Sequence, residues 1–214
     1  FLLFCFTGVY VELCLHLCVF RSLDRYAGYL VLFGLLSGAL CTLVVSSLPK
    51  VLRQIVGVLL VAAQVLLAEV QLVYQRIFGN FMPLNQVSMG ENVMANFGAQ
   101  ILYCIRGNLP QILLLLLPLL AVILCLALRR VQALKLRLRW KQALASFAVL
   151  LVLLLTITGS MYAGRNKPFS VYHTFTNVGT STDSSYKKAG MLATTAQELR
   201  YMLFGSSVSI DITP

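Results

Sequence analysis

The sequence predicts an all-α membrane protein with five transmembrane helices, an amphipathic helix on the outer surface and an extracellular C-terminal linker. The composition is the first reason, since 59% of the residues are hydrophobic and 11% are charged, whereas soluble domains carry about 25% charged residues. The second is a series of apolar runs near the roughly 20 residues that cross a bilayer as a helix. Backbone in lipid must satisfy its polar groups internally, so each run is predicted to be helical.

Short charged or polar breaks separate the predicted spans. The first three runs are residues 1–20, residues 26–48 and a run that ends near Val73, and the last two are residues 111–128 and 142–162. Residues 1–162 are therefore predicted to form one transmembrane domain, with a non-spanning outer segment at 74–110.

The basic cluster at 129–141 predicts the orientation of all the spans. It is a short loop rich in Lys and Arg between two apolar runs, and such loops are held in the cytoplasm. Counting back from it places the turn at 49–53 and the N-terminus inside. The tail from Ala163 is then extracellular, and the predicted location is the plasma membrane.

The net charge of +10 is interpreted as a membrane signal and not as a nucleic-acid signal. The charges lie in loops beside apolar runs, where they orient helices and meet anionic headgroups. We therefore expect membrane lipids, and no nucleic acid, as partners. Because the sequence starts at Phe1 inside an apolar run, we expect it to be part of a longer chain.

Two stretches are predicted to contain helices that do not span. In the first, a capping-box pattern at 88–91 and a stop signal at Gly107 bound an amphipathic pattern. This helix is predicted to lie flat on the outer surface, or alternatively to pack against the spans. The second is 163–214, a polar linker in which the capping box at 195–198 predicts a short helix near 196–204 that ends at Gly205.

Two acids fall within predicted spans, where a carboxyl group is costly and points to function. Glu12 and Glu69 could alternatively each be neutral or bonded to a neighbouring helix, with Gln64, Gln71, His16 and Ser or Thr residues as candidate partners. Glu69 lies near the outer end of the third span, where it could pair with Arg76 or Arg106.

Arg76 and Arg106 lie at the ends of the outer segment, and guanidinium groups bind phosphate with two-point geometry. Glu69, Arg76 and Arg106 are therefore the candidate lipid-headgroup residues. The alternative for the two arginines is an ordinary snorkelling anchor. The sequence contains no Walker loop, no dinucleotide-binding turn and no metal-spaced cluster, so no catalytic or metal site is predicted in it.

Three stretches carry a resemblance to a known family. Residues 73–81, residues 88–106 and the Tyr-Lys-Lys-Ala-Gly-Met-Leu element at 186–192 resemble parts of the membrane domain of lipoteichoic acid synthase-type phosphoglycerol transferases, members of the sulfatase and alkaline phosphatase superfamily. One departure is Gly79, where an acidic residue is expected.

The resemblance implies a membrane-anchoring and lipid-presenting role in an enzyme of cell wall biogenesis. Its catalytic domain, absent from this sequence, would use a divalent metal (Mn or Mg) and take glycerol phosphate from phosphatidylglycerol. Phosphoethanolamine transferases share this plan and are the rival within the class. Two other classes stay open: a small transporter or channel component with Glu12 and Glu69 as coupling sites, and a scaffold without a ligand.

Overall fold

The computed structural model describes residues 2–84, 86, 90–127, 140–167, 169–176 and 182–205. All regular structure within these ranges is helical. The helices are α1 (Leu2–Phe20), α2 (Ala27–Ser46), α3 (Lys50–Phe78), α4 (Gly90–Gly107), α5 (Leu109–Ala127), α6 (Trp140–Ala163), α7 (Val171–Thr176), α8 (Thr182–Ala189) and α9 (Met191–Phe204).

Four helices are long and apolar enough to cross a membrane, and they correspond to α1, α2, α3 and α6. A fifth candidate is the pair Asn96–Gly107 and Leu109–Cys125, which is bent by 78° at its break. Many large apolar side chains on the outside of α6, such as Leu144, Val152 and Leu155, are more than half exposed, as expected of a lipid-facing surface. The predicted all-helical class is confirmed for the described residues, which contain four or five candidate membrane spans.

The third helix is longer than predicted. It continues past Val73 to Phe78 and ends at Gly79, which has a φ of +76° and donates its N–H to the carbonyl of Gln75. This left-handed C-terminal cap favours glycine, because a side chain at such a φ is strained. The cap explains why glycine stands where the resemblance leads us to expect an acid.

The α4 helix ends at Gly107 as predicted, and α5 follows at Leu109. The 78° bend between them is the angle expected if α4 lies along the membrane surface and α5 crosses it; that placement stays a prediction. The residues 128–139 that follow α5, and with them nearly all of the basic cluster, lie outside the described residues, as does Ser88 of the first capping box.

Small residues let α1 and α2 pack with their backbones in contact. A Cβ atom added to Gly8 would lie 2.5 Å from the carbonyl oxygen of Gly34, and one added to Gly38 would lie 2.4 Å from the Cα of Cys5. Gly34 and Gly38 form a Gly-x-x-x-Gly pattern, which supports close helix packing in membranes. The antiparallel α1–α2 pair is therefore held by direct backbone contact.

The C-terminal segment differs most from its prediction. In place of a linker with one short helix, α7, α8 and α9 pack against the spans, and Val171, Ala189 and Ala193 share a buried cluster with Phe33 and Met161. The α9 helix begins at Met191, so the capping box predicted at 195–198 is wrong and its residues lie inside the helix. The predicted end at Gly205 is confirmed.

Candidate functional site

A buried carboxyl group joins α1 to α9. Glu12, 1% exposed within α1, accepts the backbone N–H of Met191 at 2.8 Å and that of Leu192 at 2.6 Å, one on each oxygen. These are first-turn N–H groups of α9, which no carbonyl within the helix can satisfy. The carboxyl group also lies at the positive end of the α9 dipole, a position that favours its ionised form. We call Glu12 and the start of α9 the tail junction.

Gly190 makes this close approach feasible. It precedes α9 with a φ of +92°, and an added Cβ atom would lie 2.5 Å from Oε2 of Glu12 and 2.9 Å from Leu30. Both its backbone conformation and its surroundings exclude a side chain. Its own N–H bonds the carbonyl of Tyr186 at 3.1 Å, so α8 turns directly into α9.

The segment at 79–84 is bonded to α3 through one buried amide. Gln71, 2% exposed, accepts the N–H of Met82 and donates to its carbonyl, both at 2.9 Å. The amide thus replaces the paired bonds that a neighbouring strand would give. It holds the chain that leaves α3 against the end of the same helix.

Two acids of the tail bond the other side of this segment. Asp183 of α8 accepts the N–H of Phe81 at 2.8 Å, and Glu198 of α9 accepts the N–H of Leu84 at 3.1 Å. Burial raises the pKa of Glu198, and the Leu84 N–H opposes that rise. Three carboxyl groups, those of Glu12, Asp183 and Glu198, therefore connect the tail to α1 and to the segment at 79–84 through main-chain donors.

Stacked rings fill the space between these bonds. Phe81 lies flat against Tyr186, with centroids 4.1 Å apart and planes 7° apart, and Phe20 contacts Phe81 at 6.0 Å. Phe81 and Tyr186 are each 3% exposed. Burial raises the pKa of the Tyr186 phenol, so the ring stays neutral in this apolar setting.

An ion pair lies at the rim, where Lys187 of α8 contacts Asp24 at 3.1 Å. Asp24 belongs to the turn between α1 and α2, and the bond from Lys187 lowers the pKa of its carboxyl group. The pair is accessible to solvent, so we expect it to orient α8 more than to stabilise it.

The structure shows no bond among the described atoms of the three predicted headgroup residues. Arg76 donates to the carbonyl of Cys18 at 2.7 Å and so caps the end of α1. Glu69 has a buried Oε1 atom with no hydrogen bond, and neither arginine pairs with it among the described residues. Arg106 is exposed in the last turn of α4. Their role in binding a headgroup stays a prediction.

The sequence indicated Glu12 as a candidate residue but did not indicate its main-chain partners. The expected partners lie in the spans, whereas the observed ones are main-chain groups about 180 positions away. One residue in the sequence could have pointed there, the glycine at position 190 between α8 and α9. No sequence pattern indicated the contacts of Gln71 and Phe81; only their residue types were known.

Within the described residues, no group of three or more His, Cys, Asp or Glu side chains is placed to hold a metal ion. Comparison with protein-family models, with curated proteins and with solved structures finds no match to this chain. The geometry of the tail junction, a capped and buried docking site, is therefore the main guide to function.

Proposed function

We propose that this chain is the membrane-anchoring domain of an extracellular glycerol-phosphate transferase of the lipoteichoic acid synthase type, and that its folded tail sets the orientation of the catalytic part. The observation that carries the proposal is the pair of bonds from the start of α9 to Glu12. They make the tail part of the membrane domain, whereas a flexible linker would let a catalytic domain rotate freely.

The energetics favour a tail that stays docked. Undocking would break both hydrogen bonds to Glu12, and a buried polar group that loses its partner costs about 1–3 kcal/mol. It would also expose the flat face that Phe81 and Tyr186 bury together. Both costs act in the same direction, so the docked arrangement should dominate.

The proposed orientation rests on the basic cluster together with the relative positions of the helix ends. The end of α1 contacts the end of α3 through Arg76, and the end of α6 shares a buried cluster with the tail. These ends therefore lie on one side of the bundle. The positive-inside rule makes it the extracellular side of the plasma membrane, with the N-terminus in the cytoplasm.

The resemblance adds the proposed chemistry. The catalytic domain would bind a divalent metal (Mn or Mg) and draw on phosphatidylglycerol, and the membrane domain would bring the lipid near it. Arg106 keeps all its donors free of described partners, and Arg76 uses one on Cys18. Both therefore retain donors for a headgroup phosphate, and Glu69 could accept a headgroup hydroxyl.

Substitution in the full-length protein tests the anchoring proposal. Glu12→Gln keeps the shape but replaces one acceptor oxygen with an NH₂ group, so we expect release of glycerol phosphate from phosphatidylglycerol in membranes to fall about tenfold, in line with a loss near 1.4 kcal/mol. Thr42→Val is the control, because Thr42 bonds only the carbonyl of Gly38 within its own helix. Equal activity of wild type and Glu12→Gln would reject the orienting role.

Substrate and topology assays separate the rival proposals. Turnover of phosphatidylethanolamine in place of phosphatidylglycerol would reassign the chain to phosphoethanolamine transferases. Ion flux that depends on both Glu12 and Glu69 would indicate a transporter. A cysteine at Ser181 should react with an impermeant thiol reagent in intact cells and one at Ala133 should not; both positions lie outside the described residues. The reverse labelling pattern would overturn the orientation.

A further inference from the structure

A second site lies beside the docked tail. A pocket of about 490 Å³ opens between the start of α2, the end of α6 and the turn that leads into α7. The side chains that can bond a ligand in it are those of Arg25, Tyr26, Tyr29, Ser160, Lys167 and Ser170. None of these residues was among the candidates that the sequence indicated.

The pocket is positively charged. Arg25 and Lys167 line it, and no Asp or Glu occurs among its described lining residues. The nearby Asp24 is paired with Lys187 and so does not neutralise it. Lys167 has neither an ion pair nor a side-chain hydrogen bond within the part of the chain that the structure describes. A cationic pocket without a counter-ion favours an anionic ligand.

Arg25 is held in place and keeps N–H donors that no contact among the described residues uses. Its Nη2 donates to the hydroxyl of Tyr26 at 2.8 Å, and its guanidinium lies 4.9 Å from the centroid of the same ring. A guanidinium group has five N–H donors in a planar fork. The contact with Tyr26 uses one of them and fixes the plane, which leaves the others for a phosphate group.

The tail forms one wall of the pocket. Phe169 has a φ of +58°, a strained conformation for a residue with a side chain, and its ring is 84% exposed. Lys188 of α8 donates to the carbonyl of Phe169 at 2.7 Å and to the hydroxyl of Thr174 at 2.9 Å. The docked tail thereby stabilises the turn that carries Lys167.

The pocket lies where an apolar span ends. Just before the turn, Tyr162 is exposed at the end of α6, with the guanidinium of Arg165 3.9 Å from its ring centroid. Tyrosine and arginine at the end of an apolar helix are typical of the headgroup region. Aromatic rings, two cationic side chains and several hydroxyl groups line the pocket. This combination suits a phosphate ester that carries hydroxyl groups.

We propose that this pocket binds the phosphate ester of an anionic, hydroxyl-bearing headgroup, with Arg25 and Lys167 on the phosphate and Tyr29, Ser160 or Ser170 near the hydroxyls. The same chemistry occurs in a phospholipid and in a soluble glycerol phosphate. The proposal deepens the lipid-presenting role proposed above and rests on it in one respect, since the pocket must lie at the membrane surface.

The test uses the whole chain in detergent, titrated with phosphatidylglycerol, with phosphatidylcholine and with soluble glycerol phosphate, and read by native mass spectrometry. We expect phosphatidylglycerol to bind at least about tenfold more tightly than phosphatidylcholine. The variant Arg25→Gln/Lys167→Gln should abolish that preference. The control Arg21→Gln/Arg200→Gln changes the net charge equally at exposed positions outside the pocket, and it should retain the preference.

A second variant guards against misfolding of the first. Ser160→Trp fills the pocket from the exposed side of α6 without altering charge, and it should also weaken phosphatidylglycerol binding by about tenfold. Preference retained in both variants, or lost equally in the control, would overturn the proposal. Competition by soluble glycerol phosphate at the lipid's own affinity would identify the free ester as the ligand, and its absence would identify the lipid.

The labelling assay at Ser181 and Ala133 keeps the two proposals apart. Reversed labelling with intact phosphatidylglycerol preference would reject the extracellular anchor and keep the pocket. Normal labelling, normal transferase activity and no preference would reject the pocket and keep the anchor.

Discussion

The α1 helix makes two contacts that differ in kind. Toward its start, Gly8 lets it pack against α2 with no side chain between the backbones. One turn further, Glu12 binds the start of α9 through two hydrogen bonds. The first interface depends on the absence of side chains and the second on one polar side chain. Close backbone packing thus holds the apolar bundle together, whereas hydrogen bonds to main-chain groups hold the tail.

The difference affects how each contact should fail. A closely packed interface of small residues leaves no space for a larger side chain, so any added volume separates the helices. The tail junction concentrates its bonds in a few atoms, so an isosteric change can weaken it while the bundle stays intact. Substitutions at the two interfaces should therefore differ both in the size of their effect and in the part of the molecule that they loosen.

Gly38→Leu should have the largest effect. Even a Cβ atom at this position would lie 2.4 Å from the backbone of Cys5, so α1 and α2 must separate, at a cost of about 3 kcal/mol. Gly159→Leu in α6 is the control, because nothing lies within 4 Å of its Cβ position. Thermal unfolding in detergent measures both variants, and equal melting temperatures would show that the interface is not tightly packed.

Gly190→Ala should weaken the tail junction and leave the bundle intact. The substitution adds a strained φ and a contact of 2.5 Å with Glu12, together about 2 kcal/mol. Gly205→Ala has the same kind of φ, +79°, but open space around it, so it isolates the backbone strain. Limited proteolysis of α9 should be faster for Gly190→Ala than for Gly205→Ala, and equal rates would contradict the close approach.

Tail stability should depend on pH through Glu198. Its carboxyl group has a raised pKa in the folded protein and binds a proton more tightly there than in the unfolded chain. Its contribution is therefore greatest at low pH and falls as the pH rises from the usual glutamate pKa through the raised value. Glu198→Gln should remove this part of the pH dependence of tail proteolysis. An unchanged profile would contradict it.

Asp24→Asn should have the smallest effect and the opposite pH trend. The Asp24 pKa is lowered by Lys187, so the contribution of the pair is present above the usual aspartate pKa and is lost as the pH falls through the lowered value. The pair is solvent-accessible, so salt should screen it. The difference between wild type and Asp24→Asn should shrink at high salt, and a salt-independent difference would indicate a buried pair.

The sequence predicted the bundle far better than the tail. Apolar runs of span length are enough to locate α1, α2 and α6, because a helix is the only open-chain structure that satisfies its backbone in lipid. Chain breaks at Arg21 and Gly107 were likewise visible in the residues. The end of α3 was placed too early, because hydropathy falls at the aromatic turn although the helix continues to its glycine cap.

The tail junction depends on pairing across the whole chain, which local patterns do not encode. The sequence identifies Glu12 as an acid in an apolar helix, and the structure bonds it to two main-chain N–H groups. Its donors, however, are backbone N–H groups, which every residue except proline carries, so the sequence does not reveal which of them bind Glu12. Gly190 was the one local indication in the sequence. Its role became clear only from its observed φ and from the 2.5 Å distance between its Cβ position and Glu12.

Hydrogen exchange at the amides of Met191 and Leu192, in the full chain reconstituted in lipid nanodiscs, tests the central claim most directly. First-turn amides of a helix have no partner within it and exchange quickly unless another group caps them. We predict strong protection of both amides, and its loss in Glu12→Ala while the later amides of α9 stay protected. Rapid exchange of these two amides in the wild-type chain would contradict a tail docked on Glu12.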